Sequence, residues 1–260
     1  MKFYPGFDIK IEEAGMGFRY GNNVFGPTPE IRSLESIRPS LRDPLCAGPE
    51  EVYAIAMDVG KTEDIADLKN RGLLYGAVTY AKGRLGEEPV RSQGHIHKKS
   101  PRCGWSTPEV YEIWQGTAII LMQEKAEDDP GRCFAVSATA GQVVIVPPDW
   151  AHATISADPQ STLTFGAWCD RDYGFDYTGV RAHKGMAFYP LLDEAGTLYW
   201  ERNPHYIEKI FLIEKSPEDY IQLGLKKGIS IYEQYQANRD IFSFVYAPDK
   251  FEKVWENFIP

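Results

Sequence analysis

The segment "GHIHKKSPRCGWSTPEVYEIWQG", Gly94 to Gly116, sets two histidines one residue apart and a Glu-x-Tyr pair just ahead of a glycine. Its second half, "EVYEIWQG", runs directly into "TAIILMQE". Both runs are short, rich in β-branched and aromatic residues and divided by one glycine, which is the texture of strands. The same texture extends on either side from Glu51 onward, in "EVYAIAMDV", "LLYGAVTYA", "CFAVSA", "QVVIVPP", "HATISA" and "LTFGAWC". Gly, Pro or charged clusters separate these runs at the spacing of an all-β sandwich or barrel. No ten-residue helical pattern sits between every pair of strands, so a doubly wound α/β sheet is disfavoured.

The chain of 260 residues is long enough to bury a full core. Residues 1–50 are punctuated by Pro and Gly and read as an arm that covers a sheet. Residues 51–188 carry the strand runs, and 189–260 form a partly helical extension. Four helices are expected. The first lies in "TPEIRSLESIRP", with Thr28 as cap, Pro29 at the first helical position and Ile31, Leu34 and Ile37 on one stripe. The second is "TEDIADLKNRG", with Thr62 as cap and Gly72 as stop. The third is "KSPEDYIQLGLKKG", with Ser216 as cap, acids early and lysines late. The fourth, "APDKFEKVWENFI", puts Phe251, Val254, Trp255 and Phe258 on one face.

Lys plus Arg number 28 and Asp plus Glu 37, a net charge of −9, which argues against a nucleic-acid or anionic-membrane surface. No stretch approaches the ~20 apolar residues of a membrane span, and the N-terminus has charges and a proline where a signal peptide needs an apolar run. Cys46, Cys103, Cys133 and Cys169 are widely spaced with no CxxC pair. They read as buried or incidental thiols in a reducing compartment, so a cytoplasmic protein is expected.

Successive strand side chains point to opposite faces, so His95 and His97 share a face about 7 Å apart, and Glu109 and Tyr111 share another. Hairpin pairing of these two runs would bring Glu109 opposite the histidines, because antiparallel neighbours lie about 5 Å apart. The eleven residues between His97 and Glu109 add less than about 1 kcal/mol of closure entropy relative to half that length. A third segment, "GQVVIVPPDWAHATIS", turns at a double proline and starts a new strand at His152. Three of the chain's five histidines therefore fall in two segments. Neutral imidazoles with one carboxylate suit Mn, Fe(II), Ni or Zn and leave coordination positions open. His183 and His205, in "RAHKG" and "NPHY", read as surface residues.

"GHIH" followed by "EVYEIWQG" resembles the first cupin motif, and "GQVVIVPPDWAH" resembles the second. More narrowly, "VVIVPPDWAHATI" and "EVY" are similar to the cupin-type glucose-6-phosphate isomerases of archaea and some bacteria, with "IRSLESI", "EVYAIAM" and "YGFDYTGVRAHKGM" as looser matches. The resemblance implies a cupin jelly-roll barrel holding one divalent ion by His95, His97, Glu109 and His152. It also implies interconversion of an aldose phosphate and a ketose phosphate, with Glu109 as ligand and acid/base and Tyr111 against the sugar oxygens. Ser92, Gly94 and Tyr177 are further candidate substrate contacts, and Lys184 and Gly185 match the family's "KG". A homodimer is expected, as cupins often pair barrels.

Three positions depart from the family. The insert 98–108 is longer than the family's loop, Phe175 stands where a histidine is often found, and Ser92 stands where a threonine is usual. The insert's Lys98, Lys99 and Arg102 would put positive charge at the mouth of an otherwise acidic protein, where they could attract a phosphate. Its Pro and Gly fit a lid as well as an ordinary solvated loop. Two other functions use the same ligand set: a different cupin metalloenzyme, such as another sugar isomerase, an epimerase or an Fe(II) dioxygenase, and a non-catalytic sugar-binding cupin.

Overall fold

The computed structural model describes residues 2–12, 16–172, 174–207 and 209–260, and in it the strand runs pair into two facing sheets. The larger sheet has the order Val143–Val146, Glu109–Gln115, Leu163–Asp170, Leu73–Tyr80, Glu51–Met57, Glu30–Ser33, every pair antiparallel. The smaller has the order Ala151–Ser156, Thr117–Gln123, Cys133–Thr139, Leu212–Lys215, and only its last pair is parallel. Isolated bridges Arg91↔Ile155 and His95↔His152 lay the 91–97 segment along the free edge of the smaller sheet. The two sheets close face to face into an all-β barrel. Strands from both ends of the chain complete them: Glu30–Ser33 comes from the arm and Leu212–Lys215 from the extension.

Both faces of the larger sheet are covered, and all eight residues of Leu73–Tyr80 are buried, which is why that run carries no polar alternation. Tyr111, Ile113, Phe165, Ala167 and Cys169 point into the barrel with Ile120, Met122 and Phe134 of the smaller sheet. The alternate residues Val110, Trp114 and Trp168 point outward and pack with Phe7 and Phe18 of the arm and with Tyr232, Tyr235, Phe242 and Phe244 of the extension.

The helices differ from expectation where tertiary pairing offers more than a local cap. Glu30–Ser33 is a strand because the edge of Glu51–Met57 supplies backbone partners. The helix Leu34–Ile37 therefore starts late, with Ser33 rather than Thr28 as cap; Ser33 Oγ accepts the Ser36 N–H at 3.3 Å. Thr62 lies inside a 3-10 turn, Thr62–Asp64, ahead of the helix Ile65–Arg71. Gly72 stops that helix in the left-handed conformation at φ 73°, as glycine at this position should.

Ser216 caps no helix, and only the 3-10 turn Ile221–Leu223 forms in that segment. There Tyr220, 1% exposed and at φ 51°, is anchored beneath the sheet edge, where its hydroxyl accepts the Ile145 N–H at 3.1 Å. The tail's better helix is Ile231–Ala237, closed by a capping box between Ser230 and Glu233. The last segment is broken into Pro248–Phe251 and Glu252–Trp255, yet Phe251, Val254, Trp255 and Phe258 all join the outer apolar cluster.

Glu112 fastens the tail to the sheet. It is fully buried on the outward face and accepts the Ile231 N–H at 2.7 Å and the Trp114 indole N–H at 3.2 Å. Burial pushes its carboxyl up to about 8, against the pull of these two donors. An acid whose pKa is raised by folding binds its proton more tightly folded than unfolded, so stability falls as pH climbs from about 4.5 to about 8. Glu112→Gln cannot ionise. Its unfolding free energy relative to wild type should rise by roughly a few kcal/mol between pH 5 and pH 9 in urea titrations. A pH-independent difference would refute this reading.

Candidate metal centre

His95 and His152 face each other across two adjacent segments of the smaller sheet and exchange both backbone hydrogen bonds, at 3.0 and 2.9 Å. His97 lies two residues on, opposite Phe175 in the short pair Ile96–His97 with Phe175–Asp176. The alternation read from "GHIH" holds: the His95 and His97 rings are 5.2 Å apart, and each lies within 5.1 Å of the His152 ring. The expected hairpin with Glu109 does not form. Glu109 belongs to the larger sheet, paired with Val146, and reaches the histidines across the barrel interior. The proline turn before Ala151 carries the chain from one sheet to the other and so sets His152 against Glu109.

One donor atom from each of His95, His97, Glu109 and His152 lies within 4.8 Å of all the others. Two of the rings are aimed by backbone carbonyls: His97 Nδ1 lies 2.8 Å from the Thr107 oxygen and His152 Nδ1 lies 3.2 Å from the Trp150 oxygen. A proton on Nδ1 leaves the Nε2 lone pair turned inward, the usual outer-shell arrangement of ligating histidines. His95 Nε2 is buried with no hydrogen-bond partner among the described residues, a costly state that a bound ion would relieve.

The charges suit the same purpose. Burial, together with His152 and His97, holds His95 well below its ordinary range, so its imidazole is neutral. Burial opposes charge on Glu109, but its bonds with His152 and His97 prevail and hold the carboxyl well below the usual range. Burial also opposes a proton on His97, yet the Glu109 partner raises its pKa. Three imidazoles and one carboxylate, all with donor atoms turned to one point, fit a divalent transition-metal ion.

The two carboxylate oxygens of Glu109 are treated differently. Oε2 accepts the Tyr111 hydroxyl at 2.8 Å and lies 3.2 and 3.3 Å from the His152 and His97 Nε2 atoms. Among the described residues, Oε1 receives only the Cys169 thiol, at 3.4 Å. Tyr111 thus spends its hydroxyl on the carboxylate. The sequence marked Cys169 only as a buried thiol; its inward position follows from parity with Phe165 and Ala167, four and two residues earlier on the same strand.

Ser92, Gly94 and Tyr177 line the cavity beside the histidines, as do Tyr53, Thr154 and Phe175. Ser92 Oγ accepts the Thr154 N–H at 3.0 Å, and the Phe175 ring sits 4.4 Å from the His95 ring. Lys98, Lys99 and Arg102 of the basic insert do not line this cavity. Lys99 acts on Asp149, and Arg102 stands 3.7 Å from Asp172. The insert folds back on itself through Ser100 N–H to Trp105 O and Gly104 N–H to Ser100 O, both 2.8 Å. Its end supplies the Thr107 carbonyl that orients His97. Lys184 borders a separate surface groove, and Gly185 packs against Ser40. His183 is not a free surface residue: its side chain is 12% exposed, stacks on Tyr206 and lies 3.0 Å from Asp128.

Residues 44–209 match the glucose-6-phosphate isomerase (GPI) family. The chain belongs to this family. Glucose-6-phosphate isomerases from Thermococcus litoralis and Pyrococcus furiosus are each 30% identical over 156 residues, 60% of this chain and 71% of theirs. A putative glucose-6-phosphate isomerase from Rhizobium meliloti is 28% identical over 134 residues, 52% of this chain and 58% of its own length. An oxalate decarboxylase from Bacillus subtilis is similar with a TM-score of 0.37 at 11% identity, covering 60% of this chain and 31% of that one. The isomerase-family region includes all four candidate ligands and stops short of the Ile231–Ala237 helix. Among the described residues, no helix is long and apolar enough to cross a membrane.

Proposed function

We propose that this chain interconverts glucose 6-phosphate and fructose 6-phosphate with a divalent transition-metal ion held by His95, His97, Glu109 and His152. The observation that carries this reading is the convergence of three imidazoles and one carboxylate beside a hydroxyl-lined cavity, in a chain of the glucose-6-phosphate isomerase family. When bound, the ion would supply Lewis-acid polarisation of the sugar's oxygens.

The chain's own residues account for the proton. Tyr111 fixes Oε2 of Glu109 on the histidine side, which leaves Oε1 as the oxygen able to take a proton from one sugar carbon and return it to its neighbour. The Cys169 thiol, a weak donor, locates Oε1 without consuming its basicity. Ile55, Met57, Val78, Phe165 and Phe175 form apolar walls that exclude water and strengthen charge interactions inside.

The test is purified full-length chain, stripped of metal and reloaded with Mn, Fe(II), Ni or Zn, supplied anaerobically with fructose 6-phosphate and followed for glucose 6-phosphate. Turnover with at least one ion and none in the stripped chain is expected. Silence with all four ions would end this reading, and oxygen uptake by the Fe(II)-loaded chain in a parallel aerobic assay would point to a different chemistry on the same ligands.

A further inference from the structure

The two carbonyls that aim histidine rings sit in different segments that one side chain joins. Thr107 O, at the end of the insert 98–108, lies 2.8 Å from His97 Nδ1, and Trp150 O, in the turn after the double proline, lies 3.2 Å from His152 Nδ1. Ser106 comes directly before Thr107 and Asp149 directly before Trp150. The Ser106 hydroxyl oxygen accepts the Asp149 N–H at 3.0 Å. Ser106 is buried, and Asp149 holds φ 65°, a left-handed backbone that a residue other than glycine keeps where its surroundings fix it. Both sides of this link are braced. On the insert side a bridge pairs Lys99 with Ser106, Ser100 N–H donates to the Trp105 carbonyl at 2.8 Å, and the Ser100 hydroxyl donates to the Asp170 carboxylate of the larger sheet at 3.3 Å. On the other side the Trp150 indole stacks on Phe134, with centres 5.8 Å apart.

We propose that Ser106 is a positioning residue that ties the two aiming carbonyls together, so that the His97 and His152 rings are held toward the ion as one unit, and that this tie is what the insert contributes to the site. This deepens the metal-centre reading and rests on it. An imidazole ligates well when the partner of its other nitrogen fixes its tautomer and the turn of its ring. A carbonyl can do that only as firmly as its own peptide is held, and Thr107 and Trp150 both lie in connecting segments outside the strands. The Ser106 hydroxyl supplies the missing restraint to both. Without it the Asp149 N–H loses its acceptor, and each aiming peptide can tilt independently of the other.

The experiment compares the full chain as wild type, Ser106→Ala, Ser106→Thr and Asp149→Asn. Two quantities are read: the Kd for zinc, by competition with a chromophoric chelator, and the Nδ1–H proton resonances of His97 and His152 in the zinc-loaded chain. Ser106→Ala should raise the Kd about tenfold, the lower end of what removing support from behind a ligating histidine costs, and should shift or broaden both resonances. Ser106→Thr keeps the hydroxyl and should restore affinity and both signals. Asp149→Asn keeps the N–H and suits a left-handed backbone, so it should bind zinc as wild type does. Ser106→Cys, whose sulfur is a weak acceptor, carries the same expectation in smaller degree and serves if Ser106→Ala does not fold. An unchanged Kd in Ser106→Ala overturns the tie, even if the metal-free chain melts earlier. So does a disturbance confined to one of the two resonances, or a failure of Ser106→Thr to restore binding. A loss in Asp149→Asn equal to that in Ser106→Ala overturns it as well, because the Lys99 charge acting on Asp149 would then hold the insert. Wild type without zinc affinity ends the metal-centre reading and the tie together, whereas wild type that binds zinc beside an indifferent Ser106→Ala ends the tie alone.

Discussion

Glu109→Gln is expected to lower turnover of fructose 6-phosphate by about 10²–10⁴-fold, the usual contribution of a positioned acid/base group, while the ion stays bound. The amide keeps the shape of the carboxylate and an oxygen that can accept the Tyr111 hydroxyl, now 2.8 Å from Oε2. Three imidazoles remain to hold the metal: His97 and His152 are still aimed by the Thr107 and Trp150 carbonyls, and His95 is still bridged to His152. What the amide lacks is a site for a transferable proton at Oε1, beside the Cys169 thiol. The readout is kcat alongside metal content per chain. More than about a tenth of wild-type activity with the ion present would remove Glu109 from the proton's path, being far less than the loss expected of an acid/base group. Activity and ion lost together would reduce its role to ligation.

Trp168→Ala is expected to destabilise the chain by about 3–5 kcal/mol, the range for truncating a large buried aromatic. The Trp168 ring is fully buried with centres 4.5 Å from Tyr75, 5.0 Å from Tyr235, 5.4 Å from Tyr232 and 5.5 Å from Phe242. Its indole N–H also donates to the Ile231 carbonyl at 3.3 Å. Four aromatic contacts and the tail's attachment are lost together. The matching control is Phe211→Ala, at a ring 82% exposed, which should fall within about 0.5 kcal/mol of wild type. Chemical denaturation at constant metal loading checks both, and a Trp168→Ala cost below about 1 kcal/mol would show that the extension contributes little to the larger sheet.

The parity of neighbouring side chains was legible from the linear chain. "GHIH" puts His95 and His97 on one side and "EVY" pairs Glu109 with Tyr111, because alternation is a property of any extended backbone. The all-β class was legible for the same reason, and so was the stop at Gly72, where a left-handed residue is needed. The partner of each strand was not legible, since alternation says which residues share a face and not which sheet the face belongs to. Hence Glu109 was expected beside the histidines in a hairpin, whereas it meets them from the opposite wall. The helix caps at Thr28 and Ser216 failed because each competed with a distant partner: the open edge of Glu51–Met57 in one case, and the burial of Tyr220 against Ile145 in the other.

Tertiary structure alone decided the site's surroundings. Cys169 lies 60 residues from the Glu109 oxygen it donates to, and Glu112 is 119 residues from the Ile231 N–H it accepts. The sequence by itself determined the strand texture, the ligand types and their spacing within each segment, because those depend on backbone geometry over a few residues. Which oxygen of Glu109 the Tyr111 hydroxyl takes and which aromatic residues cover the sheet depend on packing between segments far apart in the chain, and that is settled only when the two sheets close on a common core.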